Sequence, residues 1–346
     1  MHGRVAVGVV VALAVLSTGR VGASDGGARC GWKPVALPTV RSLDLTAVAA
    51  RASNDVWIVG TQRGARTVAL HYDGRSLRFV PAPTPTPKWD RLAAVATVGA
   101  RDVWVVGSIV TRPVALHYDG HSWRQVAVPA PAAPYSGEFS GVAGVASNDV
   151  WAVGGAHDYE GGDWVGLIEH WDGQRWQIVH SPGKASYNAV AVVSRTNVWA
   201  AGIPGSTGPP TAHWDGTSWK LVWDTFENNG SGGGVNAVSA SGLGNVWFVG
   251  DGPFLERYGG RSFTRRSVPF AHWESNAENK VDSYLNGVAA VAGGGAWAVG
   301  NFGIEHYDGH RWTLVSKDTS YVAIAAATPT DIWAVGAKKV IHYTCR

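Results

Sequence analysis

One seven-residue pattern recurs seven times along the chain and constrains its fold more than any other feature. The pattern reads NDVWIVG in its first copy and TDIWAVG in its last, and it is centred on Trp57, Trp104, Trp151, Trp199, Trp247, Trp297 and Trp333. Successive motif tryptophans are 47, 47, 48, 48, 50 and 36 residues apart. Regular self-similarity at this period indicates that one supersecondary unit is repeated along the chain.

Each unit has the pattern of four short strands, which we label A to D. Strand A carries a branched aliphatic residue nine positions before the motif tryptophan, flanked only by Ala, Gly or Ser, as at Val48. Strand B is the V-W-x-V-G stretch, strand C ends in sequences such as LHYDG or EHWDG, and strand D has the form W-x-x-V-x-x-P. Asn-Asp pairs between A and B and Asp-Gly pairs between C and D favour tight hairpin turns. The unit is therefore predicted to be a four-stranded antiparallel sheet.

Four antiparallel strands repeated at about 45 residues are typical of a β-propeller blade. The sequence thus predicts an all-β fold, a seven-bladed β-propeller, with blades 1 to 6 over residues 43–316. The chain is similar to seven-bladed propellers of the broad WD40, kelch and BNR-like kind, since HWDG at Trp171 and Trp214 resembles the dipeptide that closes a WD40 strand. The Gly-His partner motif, the Asp-box and the double-glycine kelch pattern are absent from the sequence, so the resemblance assigns no functional residues.

The two ends of the chain complete the seventh blade in this prediction. The seventh unit stops after strand C at VIHYTC, whereas WKPVALP near the N-terminus matches WRQVAVP of the second unit at Trp32, Val35 and Pro38. Residues 30–38 are therefore predicted to supply the outer strand of blade 7, and residues 320–345 its three inner strands. Cys30 and Cys345, the two cysteines of the chain, then occupy adjacent positions of an interrupted hairpin turn, which predicts a disulfide that closes the ring. The alternative is two free thiols at disordered ends.

The first residues have the pattern of an export signal. Residues 1–23 comprise a short basic start with Arg4, an apolar run and a small-residue cleavage site ending at Ala23. We expect 24–346 to be the mature chain, secreted and extracellular. The apolar run is too short to span a bilayer, so no membrane span is predicted. The mature chain, with 27 basic and 26 acidic residues, is close to neutral, which argues against nucleic acid as a partner.

Residues that occur in nearly every unit are predicted to serve the blades. They include six strand C histidines, His71, His117, His170, His213, His306 and His342. They also include the turn aspartates, expected to bond the backbone of the A–B turn, namely Asp55, Asp102, Asp149 and Asp331. Standard nucleotide, hydrolase and zinc motifs are absent from the sequence, and neither a metal nor a cofactor is predicted.

The D–A and B–C connections vary in length and emerge on one side of a propeller, which we call the loop face. Of eighteen tryptophans, the four that are off the repeat all fall in these connections, at Trp89, Trp164, Trp223 and Trp273. Residues that break a repeat are free to be selected for a ligand, so we predict a ligand site on the loop face over blades 3 to 6. The predicted site residues are Trp164, Trp223, Trp273, Asp158, Tyr159, Glu160, Asp163, Glu227, His272 and Glu274.

Two further patterns concern the same face. The loops of blades 3 to 6 are rich in acidic residues, among them Glu138, while the loops of blades 7, 1 and 2 are basic. Polar residues at the start of strand A are predicted to lie at the mouth of the central channel, at Thr46, Ser140, Asn188, Asn236 and Asn286.

Two functions of different classes are compatible with such a site. The favoured one is a monomeric, secreted binding module whose loop aromatic residues stack on an extracellular glycan or on a peptide or protein ligand. The alternative is an extracellular carbohydrate-active or other propeller enzyme, a hydrolase or lyase, in which His157 or His272 acts with the carboxylates of these loops. The fold by itself implies no reaction.

Overall fold

The computed structural model describes residues 29–39, 42–62, 66–82, 90–158, 164–204, 211–222, 234–251, 255–266 and 284–345. Every regular element within these ranges is a β-strand, and the 28 strands form seven separate four-stranded antiparallel sheets. The chain therefore folds as the seven-bladed β-propeller that its repeat predicts. Across the same ranges, no helix is long and apolar enough to cross a membrane.

The first three blades are each built from four consecutive strands in the order A to D. Blade 1 comprises β2 (Leu43–Ala52), β3 (Asp55–Gln62), β4 (Arg66–Tyr72) and β5 (Leu77–Phe79). Blade 2 comprises β6 (Asp90–Gly99), β7 (Asp102–Ile109), β8 (Arg112–Tyr118) and β9 (Trp123–Val126). Blade 3 comprises β10 (Ser136–Ala146), β11 (Asp149–His157), β12 (Val165–Trp171) and β13 (Trp176–Val179).

Blades 4 to 6 follow the same order. Blade 4 comprises β14 (Ala185–Ser194), β15 (Asn197–Pro204), β16 (Thr211–Trp214) and β17 (Trp219–Leu221). Blade 5 comprises β18 (Val235–Ala240), β19 (Val246–Gly250), β20 (Leu255–Tyr258) and β21 (Phe263–Arg265). Blade 6 comprises β22 (Leu285–Ala290), β23 (Ala296–Gly300), β24 (Gly303–Tyr307) and β25 (Trp312–Ser316). Strand A of each blade contacts strand A of both neighbours, so these strands form a closed inner ring.

Blade 7 combines the two ends of the chain. Its sheet has the order β1 (Cys30–Val35), β28 (Lys339–Cys345), β27 (Asp331–Gly336) and β26 (Ala323–Thr328). The antiparallel register places Trp32 opposite Tyr343 and Cys30 opposite Cys345. A disulfide joins these two cysteines, whose Cα atoms are 3.9 Å apart. The structure thus confirms that the N-terminal strand completes the last blade, and the disulfide replaces the missing turn.

Replacing Cys30 by serine is expected to lower the free energy of unfolding by about 2 to 5 kcal/mol. The disulfide links residues 315 positions apart, and a cross-link over so long a loop restricts the unfolded chain strongly. Denaturant unfolding of the oxidised protein and of the variant measures the difference.

Two matched variants serve as controls for this prediction. Cys345→Ser is expected to cost as much as Cys30→Ser, and the double variant no more than either alone, since one bond is lost in each case. An unfolding midpoint that stays at the wild-type value in the single variants would contradict a closing role for the disulfide.

Aromatic side chains hold neighbouring blades together. The strand B Trp57 is 1% exposed and stacks on His71 of its own blade, with ring centroids 4.5 Å apart. The same indole meets Trp123 of blade 2 edge to face at 5.5 Å. Across the closure of the ring, Trp297 of blade 6 meets Trp32 in the same T-shaped way at 5.6 Å. The N-terminal strand therefore provides the aromatic contact that strand D provides elsewhere, and such pairs add to the area that they bury.

The repeat aspartates and histidines form one network in each of several blades. In blade 7, Asp331 accepts a hydrogen bond from Trp333 Nε1 at 2.9 Å, and its Oδ1 lies 2.8 Å from His342 Nε2. Asp55 has the equivalent partners in blade 1, and Asp149 has them in blade 3. The structural role predicted for these residues is confirmed, whereas the partners shown are side chains of strands B and C instead of the turn backbone. The reason is that strand B begins at the aspartate, which directs its carboxylate into the blade.

A β-bulge interrupts strand A in the first six blades. In blade 3, for example, the pairing of β10 with β11 shifts between Phe139 and Gly141, which leaves Ser140 as the additional residue. The bulge brings the strand A carbonyl just before it, here that of Glu138, against Gly154 of the motif. A Cβ atom on this glycine would lie less than 3.0 Å from that oxygen.

The same close approach occurs in all seven blades. It involves the final glycine of each motif copy, namely Gly60, Gly107, Gly154, Gly202, Gly250, Gly300 and Gly336. Any side chain at these positions would collide with the backbone of strand A, so the repeat requires glycine there for steric reasons.

Candidate functional site

The structure describes two of the ten predicted site residues, Trp164 and Asp158. Both flank the B–C connection of blade 3, Asp158 directly after β11 and Trp164 directly before β12. The indole of Trp164 is 44% exposed, and Asp158 is half-buried. The other eight lie outside the described residues, so their place in the site stays a prediction: Tyr159, Glu160, Asp163, Trp223, Glu227, His272, Trp273 and Glu274.

Four of the five polar residues at the start of strand A bond the next blade and belong to the scaffold. Asn188 donates a hydrogen bond from Nδ2 to the carbonyl oxygen of Val235 in the next blade, at 2.9 Å. Thr46, Asn236 and Asn286 make the equivalent bond to the blade that follows each of them. These residues are at the bulge of strand A, where the backbone turns the side chain toward the neighbouring blade. They therefore fasten the inner ring together.

The residues begin to differ between blades next to these positions, on the side of the loop face. We call this set of positions the rim layer. It consists of the residue that follows each motif glycine and of the residue whose carbonyl oxygen faces that glycine from the side of strand A. The members on the side of strand A are Asp44, Arg91, Glu138, Ser186, Gly234, Tyr284 and Ser320, and those on the side of strand B are Thr61, Ser108, Gly155, Ile203, Asp251, Asn301 and Ala337. A different residue occupies these positions in almost every blade. The rim layer is therefore the part of the ring whose residues can be selected for binding a ligand.

Blade 3 carries the most elaborate part of the rim layer, which we call the Trp164 shelf and define as Trp164, Gly155, His157, Glu138 and Ser186. A Cβ atom on Gly155 would lie 2.7 Å from Cε3 and 3.0 Å from Cζ3 of Trp164, so the indole packs directly on this backbone. The ring of His157 lies 4.9 Å from that of Trp164, between centroids. Trp164 is therefore fixed from two sides while nearly half of its surface faces solvent.

Glu138 belongs to the same face of blade 3 as the indole. It is directly opposite Gly155 in the pairing of β10 with β11, and opposed residues of an antiparallel pair direct their side chains to the same face of a sheet. Glu138 is half-buried, and none of the described residues forms an ion pair or hydrogen bond with its carboxylate. The hydroxyl oxygen of Ser186 on blade 4 also lies over Gly155. The shelf thus combines an aromatic surface, a carboxylate and a hydroxyl.

Further large apolar side chains are exposed on the loop face. Val110 in the B–C turn of blade 2 is 66% exposed, Ile203 in blade 4 is 50% exposed, and Tyr284 in blade 6 is 37% exposed. Val110 also has a φ of +58°, a left-handed conformation that is unfavourable for a β-branched residue. Its turn is held against blade 3 by the bond from Gly137 N to the Thr111 carbonyl oxygen, at 3.0 Å. Apolar exposure therefore continues on both sides of the shelf.

Sequence reasoning placed Trp164 in the site but did not include Gly155, Ser186 or Glu138 among its residues. One signal for Gly155 is present in the sequence, because the third motif copy reads VWAVGGAH and is the copy in which a second glycine follows the motif glycine. The other two could not be found in this way, since their proximity to the indole depends on the pairing of strands and blades.

The described residues do not suggest a metal centre, since no group of three or more His, Cys, Asp or Glu side chains within those ranges is arranged to hold an ion.

Comparison with known proteins supports the fold. No family model matches the chain, and no curated protein matches it. Among solved structures, YCF48 bound to a D1 peptide is 16% identical with a TM-score of 0.64, over 94% of this chain and 99% of that chain. Streptogramin B lyase is 13% identical with a TM-score of 0.65, over 92% of this chain and 98% of that chain.

A third similar structure comes from a larger protein. The extracellular domain of the hybrid two-component system BT4673 from B. thetaiotaomicron is 12% identical, with a TM-score of 0.61. The match covers 91% of this chain and 40% of that chain. At identities this low the three similarities establish the seven-bladed propeller architecture alone, because one fold serves many unrelated functions.

Proposed function

We propose that this protein is an exported, monomeric β-propeller that binds a peptide segment of another extracellular protein on its loop face, over blades 3 to 6. The observation that carries the proposal is Trp164, an indole that breaks the repeat, rests on Gly155 and is 44% exposed. A fixed aromatic ring offers a large contact area and loses little conformational entropy on binding.

A peptide fits the surroundings of the shelf better than a sugar does. Val110 and Ile203, both more exposed than Trp164, present aliphatic surface that suits apolar side chains. The polar groups of the shelf, on Glu138 and Ser186, would suit either ligand, so the exposed aliphatic surface is what favours a peptide. YCF48, which shares the architecture, has been solved with a D1 peptide, so a propeller of this size can hold such a ligand.

Export is proposed from two features. Residues 1–23 have the pattern of a signal peptide, although they lie outside the described residues. The disulfide between Cys30 and Cys345 is compatible with an oxidising compartment, where such bonds persist. A chain found only in the cytosol of the cells that make it would contradict this part of the proposal.

Trp164→Ala is expected to weaken peptide binding by about 1 to 3 kcal/mol and to leave the unfolding midpoint nearly unchanged. The indole is half-exposed, so its removal takes away ligand contact without opening a cavity in a blade. The oxidised protein would first be screened against a displayed library of random decapeptides and, in parallel, against a glycan array. Enriched peptides would then be titrated by calorimetry.

Leu243→Ala is the matched control, because Leu243 is 63% exposed but lies in the A–B turn of blade 5, on the opposite side of the ring. This variant should bind the enriched peptides like the wild type. Binding that survives Trp164→Ala undiminished would exclude the shelf as the site. Enrichment on the glycan array alone would show that the ligand is a glycan instead of a peptide.

A further inference from the structure

Two groups of the Trp164 shelf have complementary properties for one kind of ligand. The face of an indole is the most electron-rich surface that a protein side chain offers to a cation. Glu138 places a carboxylate on the same side of blade 3, because it is the residue directly opposite Gly155, on which the indole rests. Opposed Cβ positions are about 4.5 to 5.5 Å apart, so carboxylate and ring are close enough to contact one group together.

The carboxylate has no partner of its own among the described residues. No lysine or arginine of those ranges lies within ion-pair distance of Glu138, although other surface carboxylates of the protein are paired, such as Asp215 with Lys220. Lys184, two residues before Ser186, already makes a contact of its own. Because Glu138 is half-buried, a cation that reached it would be partly desolvated, which strengthens both the ion pair and the cation–π contact.

We propose that Trp164 and Glu138 form a subsite for a basic side chain, arginine or lysine, of the bound peptide. The inference rests on the proposed function and specifies its ligand. The guanidinium or ammonium group lies against the indole and pairs with the Glu138 carboxylate, while the hydroxyl of Ser186 accepts a further hydrogen bond. Arginine is the better fit, since its planar group can stack on the ring and bond the carboxylate at once.

The same chemistry discriminates against other ligands. A carboxylate or phosphate group would be repelled by Glu138, and a neutral side chain would leave the charge of this half-buried residue without compensation. The preference for a basic residue therefore depends on the negative charge of Glu138. In blade 1 the equivalent rim position is Asp44, opposite Thr61, and no described tryptophan is placed beside it there.

The test uses a defined probe, the peptide acetyl-Gly-Arg-Gly-Arg-Gly-Arg-amide, and a matched peptide in which citrulline replaces each arginine. Citrulline keeps the shape of arginine and removes its charge. Binding to the oxidised full chain is measured by calorimetry at low and high salt, with the indole N–H resonance of Trp164 as a site-specific reporter. The arginine peptide is expected to bind about 5- to 30-fold more tightly than the citrulline peptide, and less so at high salt.

Glu138→Gln is expected to remove most of this preference, by weakening the arginine peptide about 5- to 30-fold and leaving the citrulline peptide unchanged. Asp44→Asn, the change at the equivalent position of blade 1, should leave both affinities at the wild-type value. Both variants keep the size of the side chain, and their unfolding midpoints would be compared with that of the wild type.

The outcomes separate this inference from the proposed function. If the library yields peptides whose binding needs Trp164 but is insensitive to Glu138→Gln and to citrulline, the basic subsite is wrong and the peptide site stands. If arginine and citrulline peptides bind equally and Trp164→Ala changes nothing, both proposals fail. An equal loss in Asp44→Asn and Glu138→Gln would show diffuse charge attraction, which also overturns the subsite.

Discussion

Gly107→Ala is expected to lower the free energy of unfolding by about 3 to 5 kcal/mol, one of the largest effects available from a single added methyl group. The new Cβ atom would lie less than 3.0 Å from the carbonyl oxygen of Arg91, a backbone atom in the strand that borders the channel. To relieve this clash, strand A would have to move away from strand B, which would disturb its contacts with both neighbouring blades. Denaturant unfolding with the disulfide intact measures the loss.

Gly31→Ala provides the control for this prediction. Gly31 also lies in a strand, in β1, but beyond its two chain neighbours no atom lies within 4 Å of the place where its Cβ would be built. Alanine there should be neutral or stabilise by up to about 1 kcal/mol, since it restricts the unfolded chain without a clash. Comparable losses at Gly107 and Gly31 would refute the steric explanation of the motif glycine.

Stability is expected to fall as the pH rises from about 4.5 to 8, because burial raises the pKa of two glutamic acids inside the blades. Glu169 and Glu305 are 0% exposed, and their carboxyl oxygens have no hydrogen-bond partner among the described residues. Burial raises the pKa of Glu169 from the ordinary 4.5 to about 8 and that of Glu305 to about 7. Both groups are thus neutral in the native protein at pH 6, while in the unfolded chain they are ionised.

The sign of the effect follows from these pKa values. A carboxyl group whose pKa is raised by folding stabilises the native state fully below the pKa of the unfolded chain. That stability is lost as the pH rises to the folded pKa. For Glu169 the interval is from about 4.5 to 8, which corresponds to a loss of roughly 5 kcal/mol. Unfolding at pH 4.5, 6 and 8.5 should show a steady decline.

Glu169→Gln keeps the shape of the protonated side chain and cannot ionise. The variant should match the wild type at pH 4.5 and exceed its stability by several kcal/mol at pH 8.5. Glu305→Gln should have a smaller effect that is complete by about pH 7, because the pKa of Glu305 is lower. Parallel curves for wild type and Glu169→Gln would mean that the group is ionised, and paired, in the native protein.

The repeat aspartates act in a separate range of pH. Burial alone would raise the pKa of Asp55, but hydrogen bonds from His71 and Arg51 outweigh it and hold the pKa below its ordinary value. Asp331, with His342, is lowered in the same way. The stability that these pairs contribute is present above about pH 4 and is lost in acid. A maximum of stability near pH 4 to 5 is therefore expected.

The partners of these aspartates show how far a repeat can be interpreted without coordinates. Their recurrence at the turn between strands A and B correctly predicted a structural role, because a residue present in most blades cannot belong to one site. Which atoms the carboxylates bond could not be predicted from recurrence. It depends on the direction of the Asp331 side chain relative to Trp333 and His342, which are brought together by pairing of β27 with β28.

The composition of the candidate site was predictable only in part, and the bulge at Ser140 gives the reason. Side chains alternate along a strand, so Glu138 and Val142, four residues apart, would be assigned to the same face of blade 3. The bulge shifts the register between them: Val142 is opposite Ala152, and Glu138 is opposite Gly155, on the other face. No periodic pattern reveals the position of Glu138 beside Trp164.

The sequence by itself determined the architecture: seven blades, the outer strand supplied by the N-terminus, and the disulfide between Cys30 and Cys345. These features could be predicted because they follow from comparing the seven repeated units. The seventh unit lacks strand D, and the N-terminal segment is the one copy of strand D that has no unit of its own. Tertiary structure alone decided the buried state of Glu169, the need for glycine at Gly107 and the contact of Trp164 with Gly155. Each of these depends on how closely strands and blades approach one another, which is determined by packing.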